Sequence, residues 1–246
     1  MKRFVAGLLL VGWGLLAAPA SAQTFLGRIG GGCVTLPATH QQMIQLDSSI
    51  AAGSTLLVTV ATSSGFVSGL EIDDPHGNRY QGLGGVGQGA GGALVHFRSA
   101  LQHGLVAGEV VMLSYENAGD SVDSCASILG YSGIPFGNVV QETLGTATGQ
   151  SNSLTVSGNA AGSATRKLVL AAFATNGSPG TVSPQTPASV LPTLCASGNN
   201  LCLIDAQYFD DLATTATVAV TTQNTNPWVA ALTTLQADGI FGNGFD

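Results

Sequence analysis

The sequence predicts an all-β protein: an antiparallel β-sandwich, of jelly-roll or Ig-like type, built from two related halves. Three observations carry this. Short apolar runs alternate with clusters of Gly, Ser, Asn and Asp, the pattern of strands between turns. No longer stretch shows a helical apolar period with caps at its ends. And one order of segments occurs twice, roughly 110 residues apart, as an internal repeat would place it.

The repeated segment that anchors this reading is Ala51-Ala52-Gly53-Ser54 leading into the apolar run 56–62. Its counterpart is Ala160-Ala161-Gly162-Ser163 leading into 168–175. Each reads as the central strand of its half. Upstream, residues 23–32 are rich in glycine and are expected to be loosely held. Residues 33–37 read as a short edge strand stopped by Pro37. Alternation through 43–47 puts Ile44 and Leu46 on one face. Residues 66–72, the turn 73–78 and residues 79–81 read as a hairpin, because Asp, Pro, Gly and Asn preset bend geometry. Residues 82–92, rich in glycine, read as a flexible loop, and 93–98 resumes as strand. The clearest alternation is 109–116, with Val111, Leu113 and Tyr115 on one face. Residues 125–131 close the first half, and 132–136 lead out of it. In the second half Leu154 and Val156, then 168–175, 201–209, 217–224 and 228–235, take the places of these segments in the same order.

The chain opens with Lys2-Arg3, an apolar run over 4–18 and Ala20-Ser21-Ala22. That is a secretory signal peptide with cleavage expected after Ala22, since the run is too short to span a bilayer. The organisation expected is therefore signal peptide 1–22, first half 23–137, second half 138–237 and a C-terminal tail 238–246. No later run is apolar enough for a membrane helix, so no integral membrane segment is expected after cleavage. Without Lys2 and Arg3 the basic residues are Arg28, Arg79, Arg98, Arg166 and Lys167, against 14 acidic ones. So acidic a chain has no electrostatic footprint for phosphate backbones, and nucleic acid is excluded as a partner.

Four cysteines, Cys33, Cys125, Cys195 and Cys202, lie in the exported part. An even count in that setting reads as disulfides. Three connectivities satisfy the count. The turn-rich segment 196–201 favours Cys195–Cys202, which leaves Cys33–Cys125. A zinc site is disfavoured, because the spacing lacks a nearby histidine.

Several short motifs carry a resemblance. Residues 52–58 run Ala-Gly-x-x-Leu-Leu-Val; Pro75-x-Gly77-Asn78-x-Tyr80 forms the turn; Val95-x-Phe97-Arg98 follows. Gly130-Tyr131-Ser132-Gly133-Ile134-Pro135-Phe136 then separates the halves. In this the chain resembles uncharacterised exported bacterial and phage-associated β-sandwich proteins with two related halves. Ser132 stands where they usually carry arginine, and the turn lacks their usual tryptophan. The last residues, 238–246, resemble a short aromatic-Gly-Phe-acid tail of exported proteins. The resemblance implies a fold and an extracellular setting, secreted or at the cell surface, and no activity.

Candidate chemistry is sparse. Gly82-x-Gly84-x-x-Gly87 matches a dinucleotide fingerprint in letters only, because no helix follows to hold a pyrophosphate. No Gly-x-Ser-x-Gly elbow occurs. His96 sits inside a strand and reads as a sheet residue, and Trp228, in an apolar strand, is expected to be buried. The densest ionisable cluster is Asp73, Asp74 and His76. Carboxylates with an imidazole can hold Ca²⁺ or do acid–base work, although a hairpin bend uses the same residues. The expectation is an exported structural or adhesive module without catalysis or cofactor, its partner an extracellular protein or glycan. The alternatives are a glycan- or Ca²⁺-binding module at Asp73, Asp74 and His76, and, more weakly, a secreted hydrolase working through residues 73–80.

Overall fold

The computed structural model describes residues 23–36, 39–63, 69–89, 92–116, 122–134, 143–159, 167–210 and 214–236. The proposed signal peptide, the Pro135-Phe136 step, the Ala160–Ser163 lead-in, Asp211 and the C-terminal tail lie outside these residues. The first eight strands are β1 (Thr24–Thr35), β2 (Gln41–Gln45), β3 (Thr55–Thr62), β4 (Leu70–Asp73), β5 (Gln81–Gly89), β6 (Gly92–Ala100), β7 (Val110–Tyr115) and β8 (Asp123–Ser132). Seven more follow: β9 (Thr143–Asn159), β10 (Lys167–Thr175), β11 (Val182–Pro184), β12 (Ser189–Val190), β13 (Leu194–Cys195), β14 (Cys202–Asp210) and β15 (Thr215–Gln236). A single 3-10 turn, Ser197–Asn199, is the only helical element among the described residues. The protein is an all-β sandwich.

In the first half, β1-β8-β3-β6-β5 form one antiparallel sheet and β2-β7-β4 a second. In the second half, β11-β15-β10-β14-β12 form a sheet that β9 and β13 extend. Strand pairing follows the same plan in both. β3 lies between β8 and β6, as β10 lies between β15 and β14. β2 and β4 flank β7, as the far end of β9 and β11 flank residues 215–222 of β15. The difference is continuity. Residues 217–224 and 228–235, expected as two strands, are one 22-residue strand that breaks register between Thr221 and Asn226. At that irregularity the sheet folds over itself, so that Val218 and Val220 pack in one cluster with Phe173 and Ile204.

The two central strands explain the layering. Every residue of β3 and of β10 is buried. Leu56, Val58 and Val60 enter the first sandwich core, with Ile44, Val111 and Leu113. The alternate residues, Leu57 and Ala61, face the second half and meet Leu168, Leu170, Ala172 and Ala174. A strand is apolar along most of its length when both faces of its sheet are covered. The two sandwiches are therefore stacked through their large sheets into four layers with three cores. Each fully buried Leu or Val contributes on the order of 1.5–3 kcal/mol.

Three local expectations are corrected. The glycine-rich segment 23–32 is not loosely held; with Cys33–Thr35 it forms β1, in register with β8. Gly30 is glycine for space, because a Cβ there would crowd the Leu46 and Ile44 side chains. The glycine loop at 82–92 is mostly strand β5, paired to β6. At Gly85 a Cβ would strike the Leu94 carbonyl of that partner. Finally, the turn 73–78 does not close a hairpin. β4 pairs with β7 in one sheet and Gln81 with Arg98 in the other, so the turn carries the chain between layers.

Cys33–Cys125 and Cys195–Cys202 are both bonded, each between directly opposite residues of paired strands. Trp228 is buried as expected; its indole N–H donates to Ser151 Oγ and its ring meets Phe173 edge-on.

Candidate functional site

The Asp73–His76 turn is built around one carboxylate. Asp74 Oδ1 accepts from the backbone N–H of His76 (2.9 Å) and of Asn78 (3.2 Å). Asp74 Oδ2 accepts from Asn78 Nδ2 (3.0 Å) and the Tyr80 hydroxyl (2.8 Å). Asn78, buried, passes the order on: its Oδ1 accepts from the N–H groups of Gln102 and His103, and its Nδ2 donates to the His103 carbonyl. Partial burial alone would raise the Asp74 pKa, but these hydrogen bonds outweigh it and hold the carboxyl below its usual range. Asp73, the last residue of β4, is exposed. The three residues thus do different work, and Asp74 spends both oxygens inside the turn. Among the described residues no three His, Cys, Asp or Glu side chains are arranged to hold a metal ion.

His76 reaches across instead to Glu109, with Nε2 2.9 Å from Oε1. Glu109 Oε2 accepts the Val106 N–H, and that bond, with help from His76, holds its carboxyl low. The His103 ring lies 6.4 Å from that of His76. An imidazole oriented by a carboxylate supplies two members of a triad; among the described residues no hydroxyl or thiol bonds His76 as the third.

Because the folded Asp74 pKa is depressed, its contribution to stability is present above its unfolded value near 3.8 and is lost as pH falls through the folded one. Asp74→Asn is expected to destabilise by about 1–3 kcal/mol at neutral pH, by leaving donors unmatched. It should also flatten the loss of stability below pH 4, measured by urea unfolding at pH 3 and pH 7. An unchanged acid limb in the variant would mean the turn carboxylate does not titrate with folding.

A second polar constellation lies between the halves, and nothing in the sequence reading anticipated it. Arg28 of β1 donates to Asp205 Oδ2 of β14 (2.8 Å), to Ser127 Oγ (2.9 Å) and to the Pro192 carbonyl (2.6 Å). Asp205 is fully buried; desolvation raises its pKa, against the pull of Arg28. In the same layer Tyr131 donates its hydroxyl to Gln207 Oε1. His96 is a core residue of its strand, one of the two places, surface or core, that its strand position allowed, and its Nδ1 lies 3.2 Å from Thr59 Oγ1. Burial pushes its imidazole down to about 4, against the Ala231 carbonyl that would raise it. The signal available in the sequence was a lone charge, Asp205, inside the apolar strand Leu203-Ile204-Asp205-Ala206, because such charges persist only when paired.

Where this layer reaches the surface, an open groove of about 760 Å³ forms. Phe25 walls it from the first half; Pro187, Ser189 and residues 207–210 wall it from the second. β12 pairs with Gln207 and Ala206 only, so among the described residues no strand covers that edge of β14 beyond Gln207. The crevice in the first core beside Val60, Leu94 and Tyr115 holds only about 10 Å³, room for one water at most.

The fold and its sites define a class: a disulfide-bonded all-β protein of two stacked sandwiches. No protein-family model, curated protein or solved structure matches the chain.

Proposed function

We propose that the chain is an exported structural or adhesive β-sandwich module that works by binding. One observation carries the reading: the two sandwiches are fused through a buried layer, with Leu57, Leu129 and Tyr131 packed on Leu168, Leu170 and Leu235. Halves that share a buried apolar layer suit load-bearing and display. Two disulfides accord with an oxidising compartment. The signal peptide and the resemblance to exported two-half sandwiches point the same way. The measurement is adherence of cells to surfaces coated with the mature chain, together with a screen of ester, glycoside and peptide substrates. Adherence above an albumin control is expected. Turnover of any substrate, abolished by one substitution, would overturn the reading.

A second reading, an extracellular glycan-binding module, is favoured by the groove between the halves. It moves the binding site away from Asp73, Asp74 and His76, because the Asp74 oxygens are already occupied by the turn.

A further inference from the structure

We propose that the groove between β1 and the β12–β14 edge binds a short, neutral oligosaccharide, an inference that rests on the glycan-binding reading above. Its size falls in the range of sites that enclose small ligands, and it lies where two packed units meet, as such sites often do.

Its walls have the chemistry that sugars need. A pyranose presents apolar C–H faces and a rim of hydroxyls, so a receptor must offer flat apolar surface and fixed polar groups together. Phe25 and Phe209 supply partly exposed rings on the side of β14 that Gln207 shares. Phe25 is held: it packs on Tyr131 with ring centroids 5.3 Å apart. Rings already immobilised lose little entropy when a ligand stacks on them.

The polar group that decides the matter is Gln207. The residue is 5 % exposed, and its Oε1 accepts from the Tyr131 hydroxyl. The other end of the amide, a two-proton donor, has no hydrogen-bond partner among the described residues, and Gln207 lines the groove. A buried amide with one end fixed and the other left to an incoming acceptor is a pre-oriented donor for a sugar oxygen. Ser189 and Asp210 add a hydroxyl and a carboxylate on the same wall. The chain is acidic overall, which disfavours uronic and sialic acids and leaves neutral sugars as the class.

The test is calorimetry of the mature chain with cellotriose, chitotriose and mannotriose, each alone. At least one is expected to bind. Ser189→Trp, which projects bulk into the groove from an exposed position, should abolish the heat while leaving the melting temperature intact. Tyr131→Phe, which releases Gln207 without touching the groove wall, should weaken binding about threefold to tenfold. If none of the three binds, or if binding survives Ser189→Trp in a folded protein, the assignment falls. Binding of an extended peptide along the β14 edge in place of any sugar would also overturn it. Cell adherence is scored on the same proteins: sugar binding lost with adherence kept in Ser189→Trp upholds the groove and places adhesion elsewhere, whereas no sugar binding with adherence intact sinks the groove and spares the adhesive reading.

Discussion

Replacing Arg28 with alanine is expected to destabilise the protein by about 3–5 kcal/mol, the usual consequence of stranding one member of a buried ion pair. Asp205 is fully buried, and the guanidinium, 14 % exposed, is its charge partner across the two halves. The expected loss in melting temperature is on the order of 10 °C for a chain of this size. Asp205→Asn should be far milder. The amide oxygen still accepts from Arg28, and the buried charge that had to be desolvated is gone.

The pH dependence separates the two causes. Asp205 has a raised pKa in the fold, driven by desolvation. The folded state therefore keeps the proton to higher pH than the unfolded chain does. Stability falls as pH rises from the unfolded value near 3.8 through the raised one. Without Arg28 that rise is larger, so the deficit of Arg28→Ala should be greatest at neutral pH and should shrink towards pH 4. Arg28→Ala/Asp205→Asn should not show this recovery. Equal deficits at pH 4 and pH 7 for the single variant would mean that lost packing, and not the stranded carboxylate, sets the cost.

The strands that pack against apolar neighbours were legible in the sequence, and those that pack through backbone were not. β3 and β10 announce themselves because Leu57 and Leu168 must be as apolar as Leu56 and Val169 when both sheet faces are covered. β7 shows its alternation because its outer face meets solvent, with Val111 buried and Val110 exposed. β1 and β5 were hidden by glycine, which carries no periodicity and is depleted in strands. They are strands because the partner, β8 or β6, supplies the hydrogen bonds, and that pairing is not local. The turn at Asp74 was legible as a turn; its crossing between sheets was not, since the crossing depends on where β7 and β6 lie. The same limit governs the sites. Phe25, Ser189 and Gln207 meet at one groove from three distant segments, and no spacing rule joins them.

The cysteine pairs were legible because the even count called for disulfides and the turn-rich segment 196–201 favoured Cys195–Cys202, and their energetic roles are expected to differ. Cys33–Cys125 closes a separation of 92 residues and Cys195–Cys202 one of 7. In the chain-entropy account the cross-link acts on the unfolded ensemble, giving about 4.5 kcal/mol for a loop near 90 residues and about 2.5 kcal/mol for one near 8. Each pair joins strands that are already hydrogen-bonded in register, so Cys→Ser at both positions of a pair should leave the native sheet in place. Cys33→Ser/Cys125→Ser is thus expected to lose roughly twice the stability of Cys195→Ser/Cys202→Ser by urea unfolding, with a steeper denaturant dependence as the unfolded chain expands. The two bridges are also neighbours: Cys125 Sγ lies 3.7 Å from the Leu201 carbonyl, in the cluster where Ala61 and Ala172 meet. If that contact couples them, the four-serine variant should depart from the sum of the two doubles by 0.5 kcal/mol or more, on the order seen for touching sites. Additivity would show that each bridge constrains its own loop and that the layer between the halves is held by packing and by the Arg28–Asp205 pair. A larger loss from the short loop than from the long one would refute the entropic account altogether.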